Sequence, residues 1–179
     1  MSRFFRYAIN KIYTICNILQ GMKIARGAML HFSSEIRNRK NIVVGKNSIL
    51  YKKLSIYPGR NGHFSLGANS HIAPYGYFLI DNQSLTIGND VAIGPFCSFF
   101  CSSNTWSSEQ LLFRKNYDRG DIIIGNNVFI GAQSVIMPGT TIGNDVVVAA
   151  NSVVKGTLAD GHVYGGSPCK IIKKLNTDD

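Results

Sequence analysis

Side chains able to move a proton near neutral pH are few in this chain. Imidazole is the group that titrates near about 6.5. The four histidines, His31, His63, His71 and His162, leave the whole stretch from 72 to 161 without one. The four cysteines, Cys16, Cys97, Cys101 and Cys169, form no CxxC pair and stand beside no histidine cluster. Neither a zinc site nor a disulfide framework is expected from them, and no metal is predicted. They read as free thiols of a reducing compartment. Asp81 and Asn82 break the aliphatic run FLIDNQSLTIG with two polar groups that serve no packing purpose, although Asx residues are also ordinary at turns. Lys155, Lys170 and Lys173 gather toward the C-terminal end, as an anion site or as a solvated surface. Trp106, Phe113 and Tyr117 lie between 105 and 121, where they line a binding wall or pack the segment down.

Groups so far apart in sequence need a regular scaffold to bring them together, and the scaffold is legible as a repeat. From Ile122 the chain reads II IGNNVF IGAQSV IMPGTT IGNDVV VAANSV VKGT, with Ile124, Ile130, Ile136, Ile142, Val148 and Val154 six residues apart. The position after each aliphatic is small in most hexads: Gly125, Gly131, Gly143 and Ala149. The same frame continues upstream through Ile87, Ile93 and Phe99, through Leu66, Ile72 and Phe78, and through Val44, Leu50 and Ile56. It is fainter at Ile24, Leu30 and Ile36. Three hexads make one triangular coil. Each supplies a short strand with its aliphatic inward and a corner where Gly or Asn tolerates positive φ. Parallel stacking at 4.8 Å makes about six coils a prism on the order of 29 Å tall. Neither a helix nor an alternating sandwich gives period six. The segment 105–121 has no hexads, and a loop interrupting a solenoid is where function concentrates.

Composition agrees with a folded chain: 45% of the 179 residues are hydrophobic and 16% charged, outside the disordered range. Charge is uneven. Residues 1–60 hold 12 Lys and Arg against Glu35 alone, whereas 61–179 hold 7 against 9 acids. The basic third would attract a phosphorylated substrate or an anionic lipid surface. Nucleic acid is not expected, because the aromatic-interleaved basic motifs of RNA modules and any helix-turn-helix pattern are absent. No run is long and apolar enough to read as a transmembrane helix. Residues 1–23 predict an amphipathic helix with apolar positions at Phe5, Ile9, Ile12, Cys16 and Leu19 and a stop at Gly21. Its apolar side is expected to dock on the body or on a neighbouring subunit. The alternative is peripheral membrane contact through residues 1–20, with Arg3, Arg6 and Lys11 at the headgroups.

The tandem hexads (Ile or Val, then Gly or Ala, two free positions, then Ser, Thr or Val) resemble the hexapeptide-repeat acyltransferases, left-handed parallel β-helix proteins. The likeness covers residues 24–175, and the tail VYGGSPCKIIKKL resembles the closing segment of the maltose, galactoside and O-antigen acetyltransferase branch. The resemblance implies an all-β left-handed parallel β-helix over 24–160, a loop excursion at 105–121 and a C-terminal element over 161–179. It also implies a homotrimer using acetyl-CoA on a sugar or nucleotide-sugar, in surface-polysaccharide or lipopolysaccharide biosynthesis, in the cytoplasm or at the inner face of the membrane. By the same resemblance Ala132 and Ala150 lie against pantetheine, and Lys155, Lys170 and Lys173 lie near the CoA phosphates. Asp81, Asn82 and Trp106 then stand at the acceptor.

The departure is Asn104, which stands where the family has its catalytic histidine. An amide cannot take up a proton at neutral pH. His71, at a corner one coil earlier, is the alternative base or else a surface histidine without a role. Three functions follow: N-acetylation of an amino sugar, whose neutral amine attacks a thioester unaided; O-acetylation of a sugar hydroxyl; or a non-catalytic trimeric scaffold.

Overall fold

The computed structural model describes residues 3–109 and 112–175, so the extremities of the expected 1–23 and 161–179 segments and residues 110 and 111 of the excursion lie outside it. Short strands form three parallel sheets, one per face of a prism of about six coils. The first face runs from Lys23–Ile24 through Ile42–Val44, His63–Leu66, Ser84–Ile87, Ile122–Ile124 and Thr141–Ile142 to Thr157–Leu158. The second contains Met29–Leu30, Ile49–Leu50, His71–Ile72, Ala92–Ile93, Val128–Ile130, Val146–Val148 and His162–Gly165. The third contains Glu35–Ile36, Ser55–Pro58, Tyr77–Asp81, Ser98–Phe100, Val135–Ile136 and Val153–Val154.

The hexad frame is the register. Ile124 pairs with Ile142, Ile130 with Val148 and Ile136 with Val154, each one coil apart. All six are buried, as are Leu66, Ile72, Phe78, Ile87, Ile93 and Phe99 upstream. Burial of these rows is the main stabilising term. The small residue after each aliphatic is needed because coils touch at the corners: a Cβ on Gly125 would lie 2.7 Å from the carbonyl of Gly143. Between the first and second faces, Asn89, Asn126, Asn144 and Asp160 form a ladder. Each side-chain oxygen accepts the backbone N–H of a residue on the preceding coil, at 2.8–2.9 Å. Asn47, Asn69, Asp90, Asn127 and Asp145 take the left-handed conformation there, which Asx residues tolerate best after glycine.

Two segments depart from the expectation. The excursion contains structure of its own: Ser102–Asn104 pairs antiparallel with Tyr117–Arg119, and a single 3-10 turn spans Phe113–Lys115. The helix α1, Arg3–Leu19, docks with its polar side rather than its apolar side. Its buried residues are Asn10, Thr14 and Asn17. Asn10 Oδ1 accepts the Phe32 N–H at 3.1 Å, and Thr14 Oγ1 accepts that of Leu30 at 3.2 Å. Asn17 Oδ1 accepts from Arg39 Nε at 2.7 Å, and the Tyr13 hydroxyl donates to the Ser34 carbonyl at 2.7 Å. The physical reason lies in the first coil. With no coil before it, its backbone groups would be orphaned, and a polar helix stripe satisfies them where an apolar one would not.

Candidate functional site

Asp81 ends a third-face strand and turns the chain toward the first face with φ 53. Its carboxylate meets Arg119 of the excursion at 3.6 Å, and that guanidinium lies 4.6 Å over the Tyr117 ring. Asn82 is exposed and its Oδ1 accepts the Asn61 N–H at 3.2 Å, so it also serves the turn. Asp81 opens on a depression of about 430 Å³ lined by Arg37, Tyr57, Leu79, Ser102 and Tyr117. The Tyr57 ring has Arg37 4.6 Å above it and donates its hydroxyl to Glu35 at 2.8 Å. Two carboxylates, the two guanidinium groups paired with them and two phenol rings suit a hydroxylated or aminated ring.

Asn104 holds the excursion down. Its Nδ2 donates to the carbonyls of Phe113 at 3.0 Å and Asn116 at 3.2 Å. Two carbonyl partners fix the amide orientation, because only the NH₂ end can face them. Beside it Thr105, Trp106 and Phe113 line a second, shallower depression, and the ribbon carrying both Ser102 and Asn104 joins the two. The nearby thiols supply no nucleophile. Burial pushes the Cys101 thiol up to about 12, and burial likewise raises Cys97.

Of the remaining predicted residues, Lys155 shares the corner of Asp81 and Asn104, between the third and first faces, and the others lie elsewhere. Lys155 reaches across the coils to Asp118 at 2.7 Å, so this lysine clamps the excursion. Ala132 and Ala150 stack at the corner between the second and third faces, where Asn151 N–H donates to the Ala132 carbonyl at 3.0 Å. Lys170 begins an exposed antiparallel strand, Lys170–Lys174, opposite Gly165 at the top of that same corner, with Lys173 opposite Val163. His71 is exposed on the second face, edge-on to Tyr51 at 6.2 Å. Within one prism, Asp81 and Asn104 therefore belong to one corner, the two alanines and Lys170 to another, and His71 to neither. Sequence reasoning missed Arg37, Ser102, Asp118 and Arg119. A polar Asp–Arg pair inside an excursion was the one available signal, and its partners are decided by coil stacking.

The comparisons agree with this architecture. Residues 121–156 match the model described as bacterial transferase hexapeptide (six repeats). The galactoside O-acetyltransferase of Escherichia coli is 31% identical over 188 positions, covering 97% of this chain and 90% of that one. The putative lipopolysaccharide biosynthesis O-acetyl transferase WbbJ of the same organism is 31% identical over 83% and 79%. The crystal structure of a variant of AntD, an N-acyltransferase from Bacillus cereus, in complex with dTDP and coenzyme A, superposes with a TM-score of 0.79. Identity is 25%, over 89% of this chain and 88% of that one. Repeat, tail and likeness across nearly the whole length lead to one conclusion: the chain belongs to the hexapeptide-repeat family of sugar acetyltransferases.

Proposed function

We propose that the protein transfers an acetyl group from acetyl-CoA to the amine of a nucleotide-linked amino sugar in surface-polysaccharide biosynthesis, in the cytoplasm. The observation that carries this reading is Asn104. Its nitrogen is committed to two loop carbonyls, so the position offers no proton acceptor. A neutral amine needs none. It attacks the thioester carbonyl, the C–N bond forms, the C–S bond breaks, and the excess ammonium proton ends on the departing thiolate. Asp81 is placed to hold the amine or a neighbouring hydroxyl, while Arg37 and Arg119 favour the charge of a diphosphate. The N-acyltransferase AntD, caught with dTDP and coenzyme A, supports the same reading.

Donor binding falls to Ala132 and Ala150 along pantetheine and to Lys170 and Lys173 at the phosphates. Because these occupy a different corner from Asp81, the complete site forms between subunits of a homotrimer. Identity with the galactoside O-acetyltransferase favours a second reading, O-acetylation of a sugar hydroxyl. That chemistry requires a base, for which His71 of an adjoining chain is the candidate. Nothing in the fold favours the scaffold reading. The test is CoA release with amino sugars, nucleotide-linked amino sugars and plain glycans as acceptors. Turnover confined to plain glycans would replace the first reading with the second, and no release with any acceptor would remove both.

A further inference from the structure

The inverted docking of α1 leaves its apolar side facing away from the protein. At 3.6 residues per turn, Phe4, Phe5, Ala8, Ile12, Ile15 and Leu19 fall opposite the docked Asn10, Thr14 and Asn17. Phe4 is 82% exposed, Leu19 81% and Ile12 61%, on a helix whose polar side is buried. Lys11 borders this face, and Arg6 lies on the side of the docked Asn10, at the cavity mouth. Around the helix lie the first two coils with Lys23, Arg26, Arg39, Lys40, Lys46 and Lys52, and Glu35 is the sole acid before residue 61. Glu35 is already paired with Arg37 at 3.2 Å. No other cation of this third meets a carboxylate among the described residues. A cavity between the helix and the first two coils is lined by Arg6, His31, Tyr51 and Lys52. Burial first, then the Arg6 and Lys52 charges, lower the His31 pKa.

We propose that this end of the prism is a docking surface for an anionic lipid membrane, with α1 lying in the plane of the headgroup–acyl boundary. Apolar side chains enter the boundary while Arg6, Lys11 and the coil cations meet lipid phosphates. Charge decides against a second copy of this chain as the occupant. Two such ends facing each other would bring like charges together with almost no acids between them. The helix lies on the bilayer rather than through it, since no helix among the described residues is long and apolar enough to cross one.

The test is co-sedimentation of the full chain with vesicles of phosphatidylcholine, alone or mixed with phosphatidylglycerol, beside the double variant Ile12→Glu, Ile15→Glu. Both positions are exposed, so the variant should keep its circular dichroism and its sedimentation mass. Binding is expected to the anionic vesicles, to weaken with added salt, and to fall by about tenfold or more in the variant. Failure to bind anionic vesicles, or binding that the variant leaves unchanged, would overturn the proposal. A variant whose oligomeric mass drops would also overturn it and assign the face to a neighbouring subunit. Acetyl transfer is measured separately with soluble acceptors, so loss of the proposed reaction and loss of membrane binding are independent results.

Discussion

At the scale of single residues, Asn104 determines how the chemistry is read. If its role is to hold the excursion through Phe113 and Asn116, then Asn104→Ala lowers turnover by about tenfold, well short of the 10²–10⁴ attributed to a general base. Asn104→Asp is expected to do more harm, because it sets a carboxylate against two carbonyl oxygens. Steady-state kinetics with a nucleotide-linked amino sugar checks both, and the pH profile should follow the substrate amine rather than an imidazole. Lys170→Ala should weaken acetyl-CoA more than dephospho-CoA, since a cation–phosphate contact is strong and local; equal losses by calorimetry would remove the lysine from the 3′-phosphate. Cys101 carries a pH prediction with a definite sign. Burial raises its thiol from 9.0 to about 12 in the folded state, so the folded chain keeps the proton longer than the unfolded one. The contribution is intact below about pH 9 and is lost as pH rises toward 12. Denaturant midpoints should therefore fall over that window in the wild type and less in Cys101→Ala.

At the scale of elements, the hexad and the excursion behave differently. Ile142 is 1% exposed with Ile124 beneath it, so Ile142→Asp places an unpaired carboxylate in a dry row. The cost is on the order of several kcal/mol, enough to lose cooperative melting of the C-terminal coils. Among the described residues the excursion is held by the ribbon of Ser102–Asn104 with Tyr117–Arg119, the Asn104 amide bonds to Phe113 and Asn116, the Asp81–Arg119 pair and the Lys155–Asp118 pair. Lys155→Ala should change global stability by less than ~1 kcal/mol, as exposed pairs do. Limited proteolysis should nonetheless cut the segment 105–121 faster, and the Michaelis constant for the acceptor should rise. An unaltered cleavage rate would show that the clamp does not hold the excursion.

At the scale of the whole molecule, the separation of corners bears on the proposed donor site. Asp81 and Asn104 are on one edge of the prism, and Ala132, Ala150 and Lys170 are on another. If Lys170 holds the donor and Asp81 the acceptor, as proposed, an adjoining prism completes the site, and three prisms around an axis would close the arrangement. Analytical ultracentrifugation should give three chains of 19.7 kDa. Mixed assemblies of an Asp81→Ala chain with a Lys170→Ala chain should recover activity above that of either variant alone. A stable, active monomer would show instead that one prism suffices.

Much of this protein was determined by its sequence. Period six requires inward aliphatics such as Ile130 and Val148 to stack and small residues such as Gly125 to mark corners, because no other regular backbone buries every sixth residue on three faces. The tail GGSPCK and the break at Asn104 were equally legible, being matters of residue type and place in the repeat. What only the tertiary structure decided are contacts between residues that coil stacking brings together. Arg119 meets Asp81 across 38 positions and Lys155 meets Asp118 across 37. The orientation of α1 belongs here too. Its amphipathic pattern names two sides without saying which is docked, and the choice fell to the orphaned backbone of the first coil, which Asn10 and Thr14 satisfy.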